Sequence, residues 1–212
     1  MGREFLGIFE EWAESYDQTV IGANPQYEEV FKDYDIILDK VVENTYGTVL
    51  EFGTGTGNLS KRLLEAGHQV IGIEPSTAMR DIAQEKIPDL EVLDGDFINF
   101  PEQSVPINTI TSTYAFHHLT DYEKEKAVSQ FYDILSTDGK IVFADTVFES
   151  MTAKQKMIQD AINKGFKDLE ADLNREYYPT LDVIERIFTT NNFELTYQQM
   201  NDFVWLLIAN KR

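Results

Sequence analysis

The 212-residue chain has no cysteine. That absence excludes disulfide staples, thiolate zinc sites and any mechanism that needs a cysteine nucleophile, and it is compatible with a reducing compartment. Basic residues are scarce: 18 Lys and Arg stand against 37 Asp and Glu, for a formal charge of -19. A field of that sign repels phosphate backbones and anionic lipid, so neither nucleic acid nor a membrane surface is expected as a partner. The charge serves either solubility or the steering of a substrate, and both readings stand at this level. No apolar run approaches membrane-spanning length, and Met1 is followed by Gly2-Arg3-Glu4-Phe5 without the apolar core of an export signal. The expectation is a soluble, cytoplasmic protein. Its length fits a single domain with ample material for a core.

What is present is organised around residues 49–57, Val-Leu-Glu-Phe-Gly-Thr-Gly-Thr-Gly. A short apolar run passes through Glu51 into glycines at 53, 55 and 57, then into Asn58-Leu59-Ser60-Lys61-Arg62-Leu63-Leu64, whose apolar residues have helical spacing. Strand, glycine turn and helix in that order predict a ligand crevice at the carboxyl end of the first parallel strand.

Ahead of this stretch, residues 5–20 carry an amphipathic helical stripe through Phe5, Phe9, Trp12 and Tyr16, and residues 27–42 repeat the spacing through Val30, Phe31, Tyr34, Ile37 and Leu38. Trp12 and Tyr16 are placed to belong to a lid. After it, strands are expected at residues 68–73, 90–93, 107–115 and 140–144. Helices are expected at 77–86, capped by Ser76, and at 122–135. This alternation predicts an α/β, Rossmann-like, doubly wound sheet of seven mostly parallel strands. Residues 148–178 read as a helical insertion over the sheet edge. A helix after Pro179-Thr180 and two strands, 193–199 and 203–209, close the chain, and their tight connection makes that pair antiparallel. The expected division of this single domain is a helical lid at 1–45, a core at 46–146, the insertion at 147–178 and the closing elements at 179–212.

The details of the crevice select among ligands. A dinucleotide fingerprint needs a third glycine at position 58, which is Asn58, and no phosphate-loop sequence occurs. A carboxylate at Glu51 opposes a pyrophosphate and suits a cation. Glu74 closes the second strand about 20 residues beyond the glycines, where such folds bind ribose hydroxyls. Asp96-Phe97 at the end of the third strand suits adenine, the acid accepting from the exocyclic amine and the ring packing on its face. S-adenosylmethionine satisfies these features together, since it is cationic, carries adenine and ribose, and has no phosphate. A nicotinamide-dependent oxidoreductase and a non-catalytic binder of S-adenosylmethionine or S-adenosylhomocysteine are the alternatives.

Glu51-x-Gly53-x-Gly55-x-Gly57, Glu74, Asp96-Phe97 and Tyr114-Ala115-Phe116-His117-His118 resemble the successive motifs of class I S-adenosylmethionine-dependent methyltransferases. The segment Phe9-Glu10-Glu11-Trp12-Ala13-Glu14-Ser15-Tyr16-Asp17 is similar to the start of the uncharacterised bacterial YrrT-like group. The resemblance implies a seven-stranded sheet whose last strand is antiparallel. It also implies that Gly53 and Gly55 approach the methionine part, that Glu74 holds the ribose, that Asp96 and Phe97 contact adenine, and that Tyr16 rides on a closing helix. Tyr114, in the fourth motif, joins the cofactor set.

Methyl transfer demands alignment and exclusion of water, with a base only if the acceptor arrives protonated. His117 is the candidate base, its ordinary pKa suiting proton transfer near neutrality, or else it lines the pocket. His118 points away if the backbone is extended, so no metal site is expected. The Asx-Pro-Pro-aromatic signature of amino-group nucleobase methylation is missing at 112–116, and without cysteine a thiol adduct on cytosine is impossible. The expected acceptor is a small molecule, and the oligomeric state is left open.

Overall fold

The computed structural model describes residues 5–212. Its centre is a seven-stranded sheet in the order β3-β2-β1-β4-β5-β7-β6. The strands are β1 (Thr48–Phe52), β2 (Gln69–Ile73), β3 (Glu91–Leu93), β4 (Ile107–Thr113), β5 (Leu135–Thr146), β6 (Phe193–Gln199) and β7 (Val204–Lys211). The pairs from β3 through β5 are parallel, whereas β7 runs antiparallel to both β5 and β6. Strand order reverses beside β1, where β2 lies on one side and β4 on the other. That is the switch point at which a crevice opens beyond the carboxyl ends.

Central strands buried on both faces read as continuous apolar runs. Val49, Leu50 and Phe52 of β1 and Ile141 to Ala144 of β5 are fully buried. One face packs under α5 (Asp121–Ile134) and α8 (Leu181–Thr190), around Phe52, Phe116, Phe131, Phe143 and Phe188. The other packs under α2 (Tyr34–Glu43) and α3 (Asn58–Glu65), around Ile37, Leu38, Val41 and Leu63. The helix α4 (Thr77–Lys86) starts from Ser76, whose hydroxyl accepts from Met79 N at 3.2 Å, as the cap expectation required.

Three expectations are corrected. The helix expected over residues 27–42 begins only at Tyr34, after Asp33 at φ 61°. Tertiary packing overrides local spacing here, because Tyr27 and Phe31 turn inward to meet Trp12 and Tyr114. As a consequence α2 is a layer of the sheet, and only α1 (Leu6–Gln18) and the turns after it lie over the crevice. The insertion forms α6 (Met151–Lys164) and α7 (Lys167–Arg175), and α7 lies at the crevice mouth, not over the sheet edge. Gln26 holds it there, donating to Asp168 at 2.6 Å and accepting from Asp168 N at 2.9 Å, while Tyr27 donates to Asp172. Finally, residues 115–118 are not extended, since Phe116–His118 forms a 3-10 turn. Among the described residues no helix is long and apolar enough to cross a membrane.

Candidate active site

Two joined cavities lie beyond the carboxyl ends of the strands. The inner one, about 80 Å³, is lined by Gly53, Gly55, Glu74, Asp96, Phe97 and Met79 among others. The outer one, about 490 Å³, lies between α1, α7 and the 3-10 turn. Phe9, Tyr16, Tyr114 and His118 line both, so these four side chains form the junction.

The glycine turn is shaped by necessity. Gly53 sits at φ 68°, and a Cβ there would come within 2.5 Å of the Ala115 methyl. Gly55, at φ 56°, directs its N–H to Glu74 Oε2 at 2.9 Å, and the other Glu74 oxygen accepts from Ser76 N at 2.8 Å. Each carboxylate oxygen retains a lone pair for a further donor. Burial raises the Glu74 pKa, partly opposed by those two N–H groups. Asp96 Oδ1 accepts from Ile98 N and Asn99 N, both at 2.9 Å, which fixes the carboxyl at the cavity wall. Phe97 also lines the cavity, but one face of its ring stacks on Phe52 with centroids 5.2 Å apart. Tyr114 adopts φ 52°, a conformation costly for a bulky side chain, and its ring projects into the junction.

Glu51 lies elsewhere. It is 1% exposed, accepts from the Ser60 hydroxyl beneath the turn, and does not line either cavity. Burial pushes its pKa up to about 8, with Glu74 adding to the rise and the Ser60 hydroxyl opposing it. The folded protein therefore holds this proton between the ordinary carboxyl range and pH 8, and stability falls as pH rises through that window. Replacing Glu51 by Gln is expected to abolish that decline and to stabilise the protein at pH 8 by on the order of 3 kcal/mol, read from urea unfolding at pH 5 and pH 8. An unchanged pH dependence would contradict a neutral Glu51.

Around His117 the structure assembles groups that sequence spacing did not connect. Its Nδ1 pairs with Asp145 Oδ1, while Asp145 Oδ2 accepts from Phe116 N at 2.6 Å and His117 N at 3.2 Å. On the other side, His117 Nε2 lies 3.1 Å from Glu176 Oε2, which also accepts from Tyr178 OH at 2.7 Å. Burial works to lower the His117 pKa, but Asp145 and Glu176 outweigh it and push it up to about 9. The same pairing overcomes burial to hold Asp145 low and Glu176 at about 2. Both carboxylates thus favour the protonated imidazole, which weighs against a base poised near 7 and towards the other expected role, lining the pocket. His118 behaves oppositely: burial and the neighbouring His117 bring its pKa down to about 3. Its ring does not point away, because the 3-10 turn brings the two ring centroids within 4.1 Å.

Lys124 completes the support. This fully buried amine donates to Leu119 O and, at 2.7 Å, to Tyr177 O, tying the 3-10 turn to the segment that carries Glu176 and Tyr178. Burial brings its pKa down to about 8 against the opposing pull of Asp121.

The helix α1 is pinned over the inner cavity by two carboxylates. Glu10 accepts from Ser76 OH at 2.9 Å, Thr77 N at 2.8 Å and Ala78 N at 3.3 Å, capping the amino terminus of α4 where the helix dipole favours an anion. Asp17 accepts from Thr56 OH at 2.7 Å and Asn58 Nδ2 at 3.1 Å and pairs with Lys86. The residue that breaks the dinucleotide fingerprint, Asn58, therefore helps to anchor α1.

The residue types in the inner cavity fit S-adenosylmethionine. Two buried carboxyls stand at the ends of β2 and β3, apolar walls come from Met79, Phe97 and Leu119, and none of the described lining residues is Lys or Arg. A pyrophosphate would find no cation there. The space is below the roughly 300 Å³ usual for small-molecule sites.

Comparison with known proteins agrees with this geometry. Residues 49–139 match a family model described as a methyltransferase domain. An uncharacterised methyltransferase of Oceanobacillus iheyensis is 57% identical over 211 residues, covering 100% of this chain and 99% of the relative. The uncharacterised methyltransferase YrrT of Bacillus subtilis is 52% identical over 213 residues, with 100% of both covered. Among solved structures, magnesium protoporphyrin IX methyltransferase from Synechocystis PCC 6803 with bound SAH superposes with a TM-score of 0.75 at 16% identity, covering 100% of both chains. Full-length identity above half, the matched domain and the shared sheet place the chain in the S-adenosylmethionine-dependent methyltransferases, within the uncharacterised bacterial group that includes YrrT.

Proposed function

We propose that the protein methylates a small molecule held in the outer cavity. The observation that carries this reading is the junction: Phe9, Tyr16, Tyr114 and His118 border both cavities, so the cofactor and acceptor spaces meet at four side chains. A volume of about 490 Å³ suits a metabolite-sized acceptor. Bound S-adenosylmethionine supplies an electrophilic methyl group on a sulfonium. The chain's own residues bind and orient. In this reading Glu74 accepts the ribose hydroxyls, Asp96 and Phe97 contact adenine, and Gly53 and Gly55 let the backbone approach the methionine part. Tyr16 and Tyr114 close the junction, and Glu51 supports the turn from beneath. His117, fixed by Asp145 and Glu176, faces the acceptor side, and it can take a proton only after releasing the one that these carboxylates favour. The unit works as one domain, in which α1 is the lid and α7 the outer wall. The acidic composition favours a cytoplasmic metabolite over nucleic acid or membrane.

The acceptor class is tested by incubating the protein with methyl-labelled S-adenosylmethionine and fractionated cell extract. Label is expected in the small-molecule fraction, and label confined to the nucleic-acid or protein fraction would overturn the reading. The lid has its own test. Glu10→Ala with Asp17→Ala is expected to raise the dissociation rate of S-adenosylhomocysteine at least about 10-fold in stopped-flow measurements, because several charge-assisted contacts hold α1 down. An unchanged rate would mean that α1 does not gate the cofactor.

A further inference from the structure

Beside the junction, His117, His118 and Glu176 present donor atoms that all lie within 4.8 Å of one another. His117 Nε2 is 3.1 Å and His118 Nδ1 3.7 Å from the same oxygen, Glu176 Oε2. Donors about 2.1 Å from a tetrahedral centre stand about 3.4 Å apart, so both distances match edges of such a site. An independent observation points the same way. His118 Nδ1 is buried and has no hydrogen-bond partner among the described residues, an uncommon state for a buried polar atom. The neighbouring groups are arranged as supports. Asp145 holds His117 Nδ1, which turns Nε2 toward the cluster, as the outer carboxylate does in carboxylate-histidine-metal arrangements. Tyr178 OH bonds Glu176 Oε2 at 2.7 Å and its ring stacks on His117, while Lys124 fixes the adjoining backbone through Tyr177 O. The rings of Phe5 and Phe9 close the far side of His118. The remaining side faces the outer cavity, which all three residues line.

We infer that His117, His118 and Glu176 bind one divalent first-row transition cation, of the zinc class, which displaces to solvent the proton that His117 Nε2 shares with Glu176 and leaves a coordination position open to the acceptor cavity. Two imidazoles and one carboxylate suit such an ion, and three protein ligands with an open position are the arrangement of catalytic rather than structural sites. The open position defines an acceptor class: a molecule that coordinates through an anionic oxygen or sulfur, which the cation would hold beside the junction. This last step rests on the proposed methyltransferase acceptor site, whereas the metal site itself does not.

The test uses the full-length protein stripped with chelator and titrated with Zn²⁺ by calorimetry and with Co²⁺ by visible absorption. One ion per chain is expected, with a Co²⁺ spectrum of low coordination number. Glu176→Gln and His118→Ala are each expected to weaken binding at least about 10-fold, while His68→Ala, which alters the one histidine outside the cluster, leaves it unchanged. If His118→Ala does not fold, the nearly isosteric Glu176→Gln decides. Absence of stoichiometric binding, or equal weakening by His68→Ala and Glu176→Gln, would overturn the inference. S-adenosylhomocysteine is titrated into the same preparation, so a protein that binds it but takes no metal rejects the metal site and leaves the cofactor reading standing.

Discussion

An Asp145→Ala protein is expected to lose about 3–5 kcal/mol of folding stability at neutral pH, the cost typical of removing one partner from a buried ion pair. Asp145 is 2% exposed and its two oxygens serve four donors: the backbone N–H groups of Phe116, His117 and Thr146, and the His117 ring. Truncation strands three backbone donors and leaves the imidazole with Glu176 alone. The 3-10 turn that carries both histidines loses its acceptor at the same time. Urea unfolding with matched wild-type controls reads the effect. Asp145→Asn, which keeps an acceptor oxygen but no charge, is expected to fall between the two. A loss below about 1 kcal/mol in the alanine variant would show that the turn is held by packing and not by this carboxylate.

Glu74→Ala is expected to weaken S-adenosylmethionine binding by roughly 100-fold to 1,000-fold, measured by calorimetry. Hydrogen bonds to a charged group contribute about 1.5–3 kcal/mol each, and the proposed site gives a ribose two of them. The variant also deprives Gly55 N and Ser76 N of their acceptor, so the glycine turn loosens as well. Glu74→Gln separates the two effects, since its amide oxygen can still accept from one N–H while the ribose loses its charged partner. It is expected to bind more weakly than wild type yet retain the native unfolding midpoint. Wild-type affinity in both variants would remove Glu74 from the cofactor site.

Much of this architecture is legible in the residues, and the reason is local. A strand, a glycine turn and a helix announce β1 and α3 within 18 residues, and the end of each following parallel strand comes into the crevice by topology alone. Glu74, Asp96, Phe97 and Tyr114 could therefore be nominated from their places at strand ends, and all four line the inner cavity. Asp145 carries the same kind of signal, standing just past the strand expected at residues 140–144. The groups that local pattern could not reveal are those brought in from afar. Glu176 reaches His117 across 59 positions, and Asp17 reaches Thr56 across 39. Neither separation has a periodicity that marks it.

Burial and backbone geometry explain where expectation and structure differ. Glu51 stands next to a ligand turn in sequence, yet the alternation of β1 points it beneath the turn, where desolvation raises its pKa. An extended chain would turn His118 away from His117. One 3-10 turn instead brings it beside His117, and both line the outer cavity.

In the proposed site the cofactor lies on the glycine turn with its reacting end at the junction of the two cavities. The most direct measurement is a crystal structure with S-adenosylhomocysteine bound. Ribose hydroxyls are expected on Glu74, adenine between Asp96 and the wall formed by Phe97 and Leu119, and the sulfur among Phe9, Tyr16, Tyr114 and His118. A ligand whose sulfur faces away from the outer cavity, or whose ribose does not touch Glu74, would contradict it.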